Sequence, residues 1–77
     1  MPEKNEHAAR IHDPDKYDRI RRKNDEGGEG VHFLYGVLNG KNEVQSIRFD
    51  ADTFTVSETK DWFEEHDYEP IEFEPAT

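Results

Sequence analysis

Apolar and polar positions alternate most clearly between Val31 and Phe49. The run Val31-His32-Phe33-Leu34-Tyr35-Gly36-Val37-Leu38 is rich in β-branched and aromatic residues and predicts a strand. Val31, Phe33, Tyr35 and Val37 share one face. Asn39-Gly40 supplies positive φ for a turn, and Glu43–Phe49 reads as the returning strand. A two-residue turn in strict register sets Phe33 against Ser46 and Val31 against Arg48. A register displaced by one residue sets Phe33 against Ile47 and Val31 against Phe49. Apolar pairs with apolar only in the second, so an odd-length loop with a bulge is expected.

Period then changes from two to between three and four. Thr55-Val56-Ser57-Glu58 matches a capping box, with Thr55 as N-cap and Glu58 reaching back to its amide. A helix over roughly 56–66 follows, lined by Val56, Thr59, Trp62, Phe63 and His66. Asp67 takes the left-handed position after it, a place better suited to Gly or Asn. Tyr68–Phe73 predicts a last strand with Ile71 and Phe73 on one face, and Pro70 puts it at a sheet edge. Upstream, Asp13-Pro14-Asp15 reads as N-cap and proline at N1, predicting a short helix bearing Tyr17 and Ile20. Ala8–His12 is read as a short strand before it. The expected fold class is α+β: one small domain, an antiparallel hairpin plus crossover helix and third strand (ββαβ), with an N-terminal strand-helix arm.

Charge sharpens this division. The chain has 77 residues, 19 acidic and 10 basic, with a net charge of −9 and no cysteine. Residues 1–24 hold five acids and seven bases, while residues 25–77 hold 14 acids and only three bases. The first part is therefore +2 and the second −11. Eight of the nine Phe, Tyr and Trp residues lie in the second part, with only Tyr17 before it. The expected organisation is a basic N-terminal arm with a short helix over 1–24, a Gly/acid loop over 25–30 and a ββαβ core over 31–77. Asp25-Glu26-Gly27-Gly28-Glu29-Gly30 buries nothing and reads as a flexible connection. Without cysteine there is no disulfide framework, thiolate zinc site or thiol catalysis. No apolar run approaches the ~18 residues of a membrane span, and no signal-peptide pattern opens the chain. The acidity argues against general affinity for nucleic acid or anionic membranes.

Candidate chemistry is sparse. Glu6, His7, His12, Asp13 and Asp15 form a His/carboxylate cluster, but His7 and His12 fall on opposite faces of an extended segment, which weakens a shared metal. Asp50-Ala51-Asp52 fails the calcium-loop pattern at Phe54 and Thr55 and reads as a turn before a helix. Arg10, Arg19, Arg21, Arg22 and Lys23 make a basic strip suited to phosphate contact or to holding the arm against its acidic domain. Arg48 is expected to pair with an acid such as Glu74 or Asp50, or to bind an anion. No nucleophile–base pair, phosphate loop, cofactor motif or metal set stands out.

Four stretches together carry a resemblance: Asn5-Glu6-His7-Ala8-Ala9-Arg10, the proline followed by Arg21-Arg22, Gln45-Ser46-Ile47-Arg48-Phe49, and Phe73-Glu74-Pro75-Ala76. In this order, with a tryptophan-bearing helix between the last two, the chain resembles a small domain of tailed phages and prophages. That domain is found beside or fused to prohead proteases and other head-morphogenesis proteins. The resemblance implies an accessory role in the host cytoplasm or the virion, and no defined activity. Its motifs single out Glu6, His7, Arg10, Arg21, Arg22, Gln45, Arg48 and Glu74 as binding residues. The expected function is a non-catalytic accessory domain that docks a protein partner. The alternatives are nucleic-acid handling through Arg19, Arg21, Arg22 and Lys23, and an acidic DNA mimic acting on a host enzyme.

Overall fold

A computed structural model describes residues 5–76. Five strands form one antiparallel sheet: β1 (Glu6–Arg10), β2 (Arg19–Lys23), β3 (Val31–Leu38), β4 (Lys41–Asp50) and β5 (Glu72–Glu74). Their spatial order is β2-β3-β4-β1-β5. One helix, α1 (Val56–His66), lies against one face. The domain is α+β, as expected from the change of period along the chain.

The central hairpin has the apolar register. Val31 faces Phe49 and Phe33 faces Ile47. The odd residue is absorbed differently from the expectation, however. The turn is the two residues Asn39 and Gly40, both at positive φ, and the irregularity falls between Leu34 and Tyr35 opposite Gln45. Asn-Gly prefers the tight two-residue turn, so the bulge moves into the strand, where it also raises local twist.

α1 forms where the capping box predicts it. Thr55 accepts from the Glu58 amide, Glu58 accepts from the Thr55 amide, and Asp67 closes the helix at φ 58, ψ 40. Thr59, Trp62 and Phe63 are its buried face. Trp62 and Phe63 meet Phe49 edge-on at 5.4 Å, and Trp62 meets Phe33 at 6.1 Å. Ala9, Val31 and Ile47 complete the core. Edge-to-face contacts suit ring quadrupoles and fix the helix angle more tightly than aliphatic contacts would.

The N-terminal third departs most from expectation. Pro14–Lys16 makes only one 3-10 turn, and residues 19–23 are a strand. The Asp13 cap is real, accepting from the Asp15 amide at 2.9 Å. But Tyr17 leaves the helical region at φ −104, ψ 152. Pairing with β3 outweighs the propensity of an isolated helix this short, which is marginal in water. β1 lies inside the sheet, between β4 and β5, so its Ala9 belongs to the same core as the hairpin.

The Gly/acid loop closes the β2–β3 hairpin. Asp25, at φ 56, accepts from the Gly30 amide through its side chain, and its own amide donates to His32. Gly30, at φ 78, passes its carbonyl to the Asp50 amide. Gly28 and Gly30 supply the positive φ this loop needs, and hydrogen bonds from its two ends join it to the hairpin. The last strand is shorter than expected. Only Glu72–Glu74 pairs, on the edge beside β1, and Ile71 is 66% exposed, turned out ahead of the strand.

Candidate functional site

Alternation along each strand sorts the sequence-predicted residues by face. Ala9, Ile47, Phe49 and Phe33 point toward α1. Glu6, Ala8 and Arg10 of β1 therefore share the opposite face with Ser46, Arg48 and Asp50 of β4, His32 and Leu34 of β3, Ile20 and Arg22 of β2, and Glu72 and Glu74 of β5. Among the described residues α1 does not cover this face; the 3-10 turn Pro14–Lys16 and Tyr17 cross one end of it, where Tyr17 lies over Gly36 and Pro14 borders the groove. Six of the eight predicted binding residues stand on it or open onto it: Glu6, Arg10, Arg22, Gln45, Arg48 and Glu74.

Its centre is a groove of about 280 Å³ floored by Ala8, Leu34 and Ser46, with Arg10, Arg48, Glu72 and Glu74 among its walls. The charges around it are set in pairs. Arg22 holds the Glu6 carboxylate through both terminal nitrogens, with Nη1 at 3.2 Å. Arg10 Nη1 lies 3.2 Å from Glu72. Arg48 Nη1 lies 3.8 Å from Glu6, so an acid is set against it as expected, and among the described residues that acid is Glu6 in place of Glu74 or Asp50. The reason is register: Ala8 sits opposite Arg48 and brings Glu6 alongside it on the same face. At the far end Lys16 Nζ meets Glu43 at 2.7 Å, and the Tyr17 hydroxyl donates to the same carboxylate. Hydrogen bonding to Glu43 raises the Lys16 pKa, and bonds from Lys16 and then Tyr17 lower that of Glu43. Burial, then Glu43, raises that of Tyr17.

His7 and Gln45 are spent on the fold. His7 is 7% exposed; its Nε2 donates to the Phe54 carbonyl at 2.9 Å and its Nδ1 accepts from the Ala76 amide at 2.9 Å. One ring thus ties β1 to the helix entrance and to the C-terminal tail. Gln45 Nε2 donates to the His12 carbonyl at 2.8 Å, and its backbone carbonyl accepts from the Ile11 and His12 amides. That anchors the chain leaving β1.

One cluster escaped sequence reasoning. Glu6, His32 and Asp50 offer ligand atoms within 4.8 Å of one another. They come from three different strands, so no local spacing signals them. The hydrogen bonds decide what the cluster is. His32 Nδ1 accepts from the Asp25 amide at 3.0 Å, so the ring proton is on Nε2, which donates to Asp50 at 2.8 Å. A metal on Nε2 would need an imidazolate while Nδ1 still accepted the hydrogen bond from the Asp25 amide. Metal-ligating histidines instead donate from the second nitrogen. Glu6 is also already held by Arg22. The trio is a strut between β1, β3 and β4. Asp13 and Asp15 are likewise engaged with each other in the 3-10 turn.

On the helix side of β2, Arg19, Arg21 and Lys23 project in a row, all exposed. Arg21 faces Tyr35 across the ladder, and Arg21, Lys23, Tyr35 and Asn42 frame a cleft of about 90 Å³. Burial first, then the neighbouring Glu26, raises the Tyr35 pKa. The helix reading of this segment hid the row, because a strand sorts alternate residues and a helix does not.

The fold and these surfaces define a small α+β domain with a single-helix layer on a five-strand antiparallel sheet. No family model, curated protein or solved structure matches the chain.

Proposed function

We propose that the chain is a non-catalytic binding module whose partner is a protein, engaged by the strands of the sheet. The observation that carries this is the open face. It bears a groove walled by both charge signs, with Ala8, Leu34 and Ser46 as a shallow floor and the partly exposed Ile20 and Leu38 nearby. Paired charges around small apolar patches are the composition of a polar-rimmed protein interface. The imidazoles of His7 and His32, which a hydrolytic or metal-dependent reading would use, have both ring nitrogens hydrogen-bonded within the fold. The resemblance to a phage head-associated domain suggests an accessory role in head morphogenesis.

A second reading has one observation in its favour. Tyr35 between Arg21 and Lys23 is an aromatic flanked by cations, a combination used on single-stranded nucleic acid. The surrounding charge of −11 over residues 25–77 opposes it.

The test is photo-crosslinking in phage-infected cells, with the crosslinker placed at Glu72 or Arg10 beside the groove and at Lys60 on the helix. Discrete protein adducts from the sheet positions and none from Lys60 are expected. Adducts to nucleic acid alone, or to nothing at any position, would overturn the proposal.

A further inference from the structure

We propose that the outer edge of β2 is a docking site for an extended acidic segment of a partner, which joins the sheet as a sixth strand. This rests on the protein-binding reading and gives that partner a chemistry.

The first observation is topological. Among the described residues β2 is the last strand on its side of the sheet, and one row of its backbone N–H and C=O groups has no described strand beside it. All five of its residues are exposed. The opposite edge is less available, because β5 has three residues flanked by Pro70 and Pro75. Proline cannot donate to a ladder.

The second observation is the charge on that edge. Arg19, Arg21 and Lys23 lie on one side of β2 at two-residue spacing. Among the described residues none of the three makes an ion pair, whereas Arg10, Lys16 and Arg22 each have a carboxylate. An added strand alternates with the same period, so acids at every second position fall opposite the three cations in register. Two copies of β2 pairing with each other would set arginine against arginine or lysine. Like charges directly opposite destabilise such a pair, so self-association through this edge is disfavoured. The row therefore rejects basic strands and second copies and admits acidic ones, which is selection by repulsion as much as by attraction. Strand addition of this kind takes affinity from main-chain bonds and specificity from alternate side chains.

A peptide competes better here than a nucleic acid strand. The open resource is a row of backbone groups, which a peptide satisfies with its own amides.

The experiment uses the full chain and a fluorescein-labelled twelve-residue peptide of alternating Glu and Thr, read by anisotropy at low ionic strength. Two further peptides carry N-methyl groups on alternate amides, one set in each frame. Only alternate amides of a strand face its neighbour. Binding is expected for the parent peptide, lost in one methylated frame and kept in the other. A protein with Arg19→Glu, Arg21→Glu and Lys23→Glu should bind at least about tenfold more weakly. Circular dichroism checks the fold of that variant. Should it not fold, the wild-type protein with an alternating Lys/Thr peptide serves instead, and must show no binding. Equal binding of both methylated frames, or no binding of the parent peptide, overturns the β2 site while leaving the photo-crosslinking result at Glu72 and Arg10 untouched. Tighter binding of a single-stranded oligonucleotide, displacing the peptide, would overturn both this site and the protein-partner reading.

Discussion

The Tyr17 ring lies flat over Gly36, so close that a methyl group added at Gly36 would overlap ring carbons. The contact shields a glycine in the middle of β3 and lets the Tyr17 hydroxyl reach Glu43, the residue paired with Gly36. Gly36→Ala should displace the ring and cost about 1–3 kcal/mol, as overpacking does. Thermal unfolding should show a midpoint lower by roughly 4–8 °C per kcal/mol. Combining Gly36→Ala with Tyr17→Ala should cost less than the two single changes together, because the clash is gone.

Lys16, Tyr17 and Glu43 should limit stability at both ends of the pH scale. Lys16 and Tyr17 have raised pKa values, so their contribution is complete below the ordinary values of 10.5 and 10.0 and is lost as pH rises through the folded values. Glu43 has a lowered pKa, so its contribution is present above the ordinary 4.5 and is lost as pH falls through the folded value. Urea unfolding of wild type and Glu43→Gln across pH 3–11 checks this. The difference between the two should be largest in the neutral range and shrink toward both extremes. A difference independent of pH would exclude the coupling.

Asp67 holds a left-handed conformation at φ 58, ψ 40, and its amide donates to the Phe63 carbonyl. Glycine adopts that conformation without steric cost. Asp67→Gly should therefore raise stability by about 0.5–1 kcal/mol, partly offset by the greater entropy of the unfolded chain. Guanidinium midpoints of the two proteins measure it.

His7→Ala should cost more than an ordinary surface substitution. It removes the acceptor of the Ala76 amide and the donor to the Phe54 carbonyl in a buried setting. Each buried group left unsatisfied costs about 1–3 kcal/mol. Hydrogen exchange at the Ala76 amide should rise before that of β4, since this amide loses its acceptor on β1.

How far the sequence reveals this fold depends on how local each interaction is. The capping box, the left-handed Asp67 and the apolar hairpin register are written in neighbouring residues, and the structure has them. The segment 19–23 is different. Arg-Ile-Arg-Arg-Lys has no apolar alternation and becomes a strand only because β3 lies beside it. Its neighbour Asp13-Pro14 carries a true helix-start signal that the chain uses for a single 3-10 turn. The basic residues were legible as a group, yet their sorting into Arg22 on the open face and Arg19, Arg21 and Lys23 on the other required the strand. The same holds for Glu6, His32 and Asp50, which meet across three strands far apart in sequence. No spacing rule spans that distance.

The histidines His7 and His32 are held within the fold, and the proposed binding falls to the strands. Long-range proton–nitrogen NMR spectra of the imidazoles test this most directly. Both His7 and His32 should show the Nε2–H tautomer at neutral pH, and one equivalent of zinc should leave the His32 nitrogens where they are. An Nδ1–H tautomer at His32, or a zinc-induced shift of its Nε2 accompanied by the Glu6 and Asp50 carboxylates, would contradict the account.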